Sequence, residues 1–413
     1  MTPDPSSAEI EQFGQSEAAD AAAGSARRPA ASRSGKRLRL LVLNHEYPPL
    51  GGGASPVTRE TAREFVRRGH EVDVVTMGRK GLPALEVDDG VRVHRVPCLR
   101  SKVHMAHGPE LASYVASANA YGRKLARERD FDVIHSHFFV PCGFTARHLQ
   151  KRFDIPYVVT AHGSDVPNYN PDRFALTHRL IAPLWQDIVR NAAAVTSPSQ
   201  SLADLINRHA KSEVSAHIIP NGIASDWIEP GEKQRSLLVV SRLFERKGVQ
   251  HLLEALRDTP IGMQIHIVGD GPHRPALEKL AQNVPDPVKF HGWMDNGSQA
   301  LRELYRRASI FVFPSSAENF PICLLEAMLS GCAVVASGID ACHEVLGNTA
   351  HYFDVGDVPA LRRHVLALSQ DEGLARRSGD AARARTIQHF SWTRIAEAYE
   401  NVFLETAERR ARR

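Results

Sequence analysis

Two glutamates, Glu318 and Glu326, stand seven residues apart in the segment SSAENFPICLLEAMLSGCAVVAS. Pro321 between them suits a first helical turn, which puts Glu318 in the preceding loop and Glu326 on the helix, with free N–H groups between. Two carboxylates then bracket an anion-binding helix start. They would not bind phosphate oxygens directly, so their chemistry is to accept hydrogen bonds from hydroxyls, such as those of a sugar and a ribose. Cations for the anion come from VVSRLFERKG, with Arg242 at a strand's end and Lys247 opening the next helix. Two fixed cations at the carboxyl end of a parallel sheet are placed to neutralise a diphosphate. Further back, NHEYPPLGGGASPVTRE sets Gly51, Gly52 and Gly53 before a helix N-terminus, where backbone N–H groups can approach an anion closely. This triple glycine is not the G-x-G-x-x-G fingerprint of dinucleotide sites.

The elements that must position these residues come in two series of short apolar, β-branched runs alternating with amphipathic helical stretches, the pattern of βαβ units. The first series is expected at 38–44, 71–77, 91–96, 131–137, 157–162, 193–198 and 216–221; the second begins at SLLVVSR and continues at 263–269, 288–292, 309–315, 332–337 and 351–354. Each series suffices for a doubly wound α/β sheet, and a chain of 413 residues exceeds one such core. The polar stretch DWIEPGEKQR at 226–235, with Pro230 and Gly231, serves as the linker. The expected organisation is a disordered tail at 1–36, a first Rossmann-like domain at 37–225, a second at 226–388, and a terminal helical segment at 389–413. The ligand belongs in the cleft between the carboxyl ends of the sheets. Ser55 reads as an N-cap, with Pro56 at the first helical position and Gly69 ending that helix.

Composition narrows the function classes. Lys and Arg exceed Asp and Glu by only 51 to 47, too little for a nucleic-acid stripe. Forty-three per cent hydrophobic residues without a membrane-length apolar run indicate a soluble protein. The tail lacks the apolar core of a secretory signal, and five scattered cysteines suit reduced thiols, so a cytoplasmic location is expected. Asp130-Phe131-Asp132 matches a metal-binding D-x-D string but precedes a strand, so turn chemistry is the better reading and no metal site is assigned. His135 and His137 share a strand face without an evident third ligand, which favours packing or cleft lining.

In order along the chain, YPPLGGG, FVRRGHEVDVVT, FDVIHSH, TAHGSD, PNGI, VVSRLFERKG, IVGDGP, FHGW and ENFPICLLEAMLSG resemble the family-4 retaining glycosyltransferases of the GT-B fold. The resemblance covers about 38–405. It implies two Rossmann-like domains facing across a cleft and a terminal helix that crosses back to the first, anchored by Phe390 and Trp392. It further implies that Gly52 and Gly53 approach the donor diphosphate and acceptor, that Arg242 and Lys247 hold the diphosphate, and that Glu318 takes donor-sugar hydroxyls. Glu326 would take the ribose, and His162 would lie beside the donor sugar, with Asp165 shaping its loop. Asn319 and Phe320 complete the donor-binding set. His162, Glu318, Arg242 and Lys247 form the catalytic set. Family members often have Gly where Asn319 stands and Asp where Ala224 stands.

The implied activity is transfer of a hexose from a UDP- or GDP-linked sugar, with retention and without cofactor or metal, to a small-molecule, glycan or lipid-linked acceptor. Two alternatives remain open: a nucleotide-sugar epimerase of similar architecture, separable by incubating donor alone, and a sugar-nucleotide-binding protein without turnover. Between Arg92 and Arg129 lie His94, Arg95, Arg100, Lys102, His104, His107, Arg123, Lys124 and Arg127. This bias reads as a solvated face, with weak, salt-sensitive contact to the inner membrane face as the hypothesis to test.

Overall fold

Strand runs such as RLLVL at Arg39–Leu43 and AVVAS at Ala333–Ser337 are apolar on both sides of the period-two pleat and almost wholly buried. Such strands need cover on both faces, and the intervening amphipathic helices supply it. The computed structural model describes residues 36–103, 105–169, 171–224 and 227–412. The tail expected at 1–36 therefore lies outside the described residues except for Lys36, as does His104.

The first sheet contains β1 (Arg39–Leu43), β2 (Glu71–Met77), β3 (Leu85–Asp88), β4 (Val91–Val96), β5 (Val133–His137), β6 (Tyr157–Thr160), β7 (Ala194–Ser197) and β8 (Ala216–Ile218). Its order is β3-β4-β2-β1-β5-β6-β7-β8. The second sheet contains β9 (Gln234–Val240), β10 (Gln264–Val268), β11 (Val288–Gly292), β12 (Ala308–Phe313), β13 (Ala333–Ser337) and β14 (Ala350–Phe353), in the order β11-β10-β9-β12-β13-β14. All pairings are parallel except β3 with β4. In each sheet the winding direction reverses next to the first strand, between β1 and β5 and between β9 and β12. Loops diverge there at the carboxyl ends and leave a crevice.

Strand β3 was not among the expected strands. Its LEVD alternates between exposed and half-buried positions and offers no apolar run. It is paired by a tight turn in which Asp89 and Gly90 take φ of 49° and 86°, the left-handed angles a two-residue hairpin requires. The first long helix, Ala54–Arg67, also begins earlier than expected. Gly53 is its N-cap, while Ser55 lies inside the first turn and donates its hydroxyl to Leu50 O at 2.7 Å. Ser55 is thus a donor to the preceding loop, where an N-cap would have been an acceptor.

The final helix, Trp392–Ala411, returns to the first sheet. Ile395, Tyr399, Val402 and Phe403 recur at helical spacing and are buried. Phe403 meets Phe65 of the Ala54–Arg67 helix edge-on at 5.4 Å and lies 5.1 Å from the His135 ring. Buried Glu400 accepts from Arg68 Nε at 2.9 Å and from His70 Nε2 at 3.1 Å. Because Leu38 N donates to His70 Nδ1 at 3.2 Å, the proton of that imidazole is on Nε2. At the crossover, Phe390 is buried in the second domain's core and Trp392 packs on the first. Ile223 N donates to Phe390 O at 2.8 Å, closing the junction.

Phe403→Ala should open a cavity where the returning helix meets Phe65. Large aromatic deletions of this kind cost about 3–5 kcal/mol, so urea unfolding should show a loss of that size with the fold otherwise retained.

Candidate functional site

The cleft is assembled from loops at both switch points. In the loop after β1, Gly51 takes φ of 111°, and a side chain on it would collide with Glu46. Gly52 N donates to Glu46 Oε2 at 2.9 Å. One of the N–H groups expected to face an anion thus already holds a carboxylate of the chain itself. Burial raises the Glu46 pKa, while the Gly52 N–H and the charge of Arg100 oppose that rise.

Neighbouring strands β5 and β6 bring His137 and His162 together. His137 Nδ1 and His162 Nε2 are 3.0 Å apart, with the rings stacked at 5.2 Å and 23°. His135 turns instead to Thr160 Oγ1 at 2.8 Å and to the rings of Tyr399 and Phe403. Asp165 accepts from His162 N at 3.0 Å and from Phe139 N at 2.8 Å, bracing the loop that carries His162. Burial pushes Asp165 up to about 6 in spite of those N–H groups.

Across the cleft, Arg242 follows β9 and lies exposed, its guanidinium 5.6 Å over the Phe244 ring. Lys247 ends a 3-10 turn, Glu245–Lys247, and does not itself open the helix Val249–Ala255, whose N-cap is Gly248. Gly248 takes φ of 71°, and a side chain there would overlap Pro314 O, so the loops after β9 and β12 are in direct contact. Through that contact Lys247, only 7 % exposed, pairs with Glu318, which also accepts from Ser315 Oγ at 2.9 Å. Tyr169, in the loop after β6, is raised by burial first and next by the charge of Glu318, while Arg242 and Arg246 oppose the shift. The loop of His162 therefore lies opposite these charges.

Glu326, as expected, is on a helix, Ile322–Leu329, and is 6 % exposed. It accepts from Tyr305 OH at 2.8 Å. Asn319 directs Oδ1 to Ser199 Oγ at 2.6 Å, so this side chain links the glutamate loop to the first domain. Phe320 turns its ring edge-on to Phe390 at 6.0 Å. Nearby, Glu344 accepts from Gln200 N at 2.8 Å and Ser201 N at 3.3 Å, capping the helix Gln200–His209 from the opposite domain. The sequence reading missed Ser199, Tyr305 and Glu344. Only the Ser199-x-x-Leu202 N-cap pattern gave a local signal, and it says nothing of Asn319.

One expectation changes in its details. The basic bias between Arg92 and Arg129 is largely consumed inside the fold: buried Asp73 takes Arg92 at 2.7 Å, His94 at 2.8 Å and Arg129 at 3.5 Å. Arg95 donates to Pro48 O at 2.7 Å, and Arg100 to Lys102 O at 2.8 Å. Arg123, Lys124 and Arg127 remain exposed. Asp132 lies at the amino end of β5, away from the cleft, and accepts from Arg39 N at 2.8 Å. Among the described residues no helix is long and apolar enough to cross a membrane.

Two facing sheets of this winding order, with paired charges at the carboxyl ends and a returning helix, define the GT-B architecture. Residues 51–227 match the family model for Glycosyltransferase Family 4, and residues 234–371 match that for Glycosyl transferases group 1. The chain belongs to the family-4 glycosyltransferases and is a glycosyltransferase enzyme. It is 29 % identical over 408 residues to the alpha-maltose-1-phosphate synthase of Mycobacterium tuberculosis, spanning 89 % of this chain and 99 % of that protein. Among solved structures it resembles sucrose-phosphate synthase from Thermosynechococcus elongatus, with a TM-score of 0.74 and 22 % identity over 89 % of this chain and 99 % of that one. It also resembles Anabaena HepE in complex with UDP and glucose, with a TM-score of 0.65 and 19 % identity over 88 % and 99 % of the two chains.

Burial pushes Glu326 up from its ordinary 4.5 to about 7, against the Tyr305 hydrogen bond and the charge of Arg302. Between those values the folded chain holds a proton that the unfolded chain has released. Stability therefore falls as pH rises through that window and the loss is complete above about 7. Glu326→Gln keeps an acceptor for Tyr305 and removes the charge. Urea unfolding should find it more stable than the parent by about 3 kcal/mol near pH 8, with no difference below about pH 4.5.

Proposed function

We propose that this enzyme transfers a hexose from a UDP- or GDP-linked donor to an acceptor hydroxyl, with retention of anomeric configuration and without a metal ion. The observation that carries the reading is the ion pair of Lys247 and Glu318 beside Arg242, at the switch point of the second sheet. Cations and a carboxylate side by side match a ligand with a diphosphate at one end and hydroxyls at the other. On donor binding, Lys247 turns to the diphosphate with Arg242, and Glu318 is released to accept from sugar hydroxyls. Glu326 takes the ribose hydroxyls, and His162 faces the sugar from the first domain. UDP and glucose are the ligands of the HepE complex, a donor class consistent with this assignment.

The reaction we favour is a front-face displacement. The bond from the anomeric carbon to the phosphate oxygen breaks, the acceptor oxygen bonds to that carbon on the same face, and the departing phosphate oxygen takes the acceptor proton. Arg242 and Lys247 stabilise the charge on the leaving diphosphate. The acceptor is a small molecule, a glycan or a lipid-linked sugar. A peripheral membrane contact, if the acceptor is lipid-linked, falls to the exposed Arg123, Lys124 and Arg127.

Proton NMR of the product settles the stereochemistry: an inverted anomeric centre overturns the displacement. Rates that vanish in EDTA and return with manganese overturn metal independence. Arg242→Ala and Lys247→Ala should each weaken donor binding by calorimetry, by about 2–5 kcal/mol where the charge is desolvated. The larger loss belongs to buried Lys247, and unchanged affinity in both variants removes them from the site. Reversing Arg123, Lys124 and Arg127 to Glu should abolish low-salt pelleting with anionic liposomes, since each basic residue near such a surface contributes about 1 kcal/mol. Absence of pelleting by the parent chain leaves those residues as a solvated face.

A further inference from the structure

We propose that His137 is a positioning residue that fixes His162 in the tautomer protonated on Nδ1, so that the cleft is offered an N–H donor at a set place. This rests on the reading of His162 as the donor-sugar contact and deepens it. The argument starts from one hydrogen bond, between His137 Nδ1 and His162 Nε2 at 3.0 Å. Burial lowers both imidazoles, His162 to about 3 and His137 well below its ordinary value, so each ring carries a single proton at neutral pH. One ring gives and the other takes.

The unused nitrogen of His137 decides which. His137 is completely buried, and its Nε2 has no hydrogen-bond partner among the described residues. Were His162 the donor, the His137 proton would have to sit on Nε2 as an orphaned N–H in the interior. The opposite arrangement leaves a bare lone pair there, and unpaired buried acceptors are tolerated better than unpaired buried N–H groups. His137 therefore donates from Nδ1. His162 accepts on Nε2 and keeps its proton on Nδ1, which has no hydrogen-bond partner among the described residues. His162 itself is only half-buried, on a loop facing the charges of the other domain.

His137 is held in place by its neighbour on the strand. Its ring lies 4.3 Å from that of His135, which is tied to Thr160 Oγ1 and packed at 5.0 Å on Tyr399. Tyr399 is on the returning helix, so the end of the chain braces the histidine pair. A neutral Nδ1–H can donate to a sugar oxygen but takes no part in proton shuttling. The pH dependence of turnover then contains no step from His162 above about pH 5, two decades above its value of about 3.

The test reads the tautomer directly. Long-range proton–nitrogen correlation spectra of the full chain labelled with ¹⁵N-histidine, with His162 assigned by its loss in His162→Asn, should show His162 protonated on Nδ1. His137→Asn puts an amide near the place of Nδ1 and should preserve that state. His137→Gln reaches the place of Nε2 instead, and should give a tautomer mixture with about a tenfold fall in kcat/KM, the worth of one misdirected hydrogen bond. A parent chain with the proton on Nε2 overturns the proposal whether or not the variants fold, and so does an unchanged tautomer in His137→Gln. Full turnover in His162→Asn overturns the sugar-contact reading alone, and the spectra still decide the tautomer.

Discussion

A lysine ammonium in the wall of a cleft has to be neutralised, and the Lys247–Glu318 pair meets that requirement between two loops that also meet where Ser316 N donates to Arg246 O at 2.9 Å. Isolated burial of either charge would cost several kcal/mol. The pair adds a charged tie between the loops after β9 and β12, and Gly248 permits their contact by leaving space for Pro314 O. Such a pair is poised for exchange. In the donor complex proposed above, a diphosphate replaces the carboxylate as the partner of Lys247, and the freed carboxylate finds hydroxyls in the same ligand.

The second constraint is that the two domains must face each other in register. Three hydrogen bonds couple the helix start at Gln200 to the second domain, through Asn319 and Glu344. On the far side the chain crosses at Phe390 and Trp392, with one ring in each core. The crossing places Phe320 against Phe390, so the loop that follows Glu318 is packed on the junction itself. A shift of one domain against the other is thereby felt by the glutamate loop through its side chains on both flanks.

Much of this was legible in the residues. The strands were readable because parallel strands buried on both faces carry unbroken β-branched runs. Strand β3 was not, since an edge strand needs no such run and its turn at Asp89-Gly90 was the only signal. Charged groups at strand ends were visible as types and spacings, but their partners were not. Ser199 and Asn319 are 120 residues apart, Lys247 and Glu318 are 71 apart, and no local pattern encodes either bond. Counting charges along the chain misled for the same reason. Arg92, His94 and Arg129 look like a basic surface until the fold brings them to Asp73.

Asn319 shows how a departure from a family pattern can be read physically. A glycine there, as is common in the resembling sequences, could supply an N–H to a ligand but no side-chain contact. Asn319 keeps its backbone group and adds a carbonyl that accepts from Ser199 at 2.6 Å. The residue is 9 % exposed, so its Oδ1 is committed to the neighbouring domain and not to the cleft. Replacing a glycine by a larger residue also narrows the unfolded ensemble, which favours the folded loop. In this chain the residue following the first glutamate therefore acts on the geometry of the cleft by tying the Glu318 loop to the first domain.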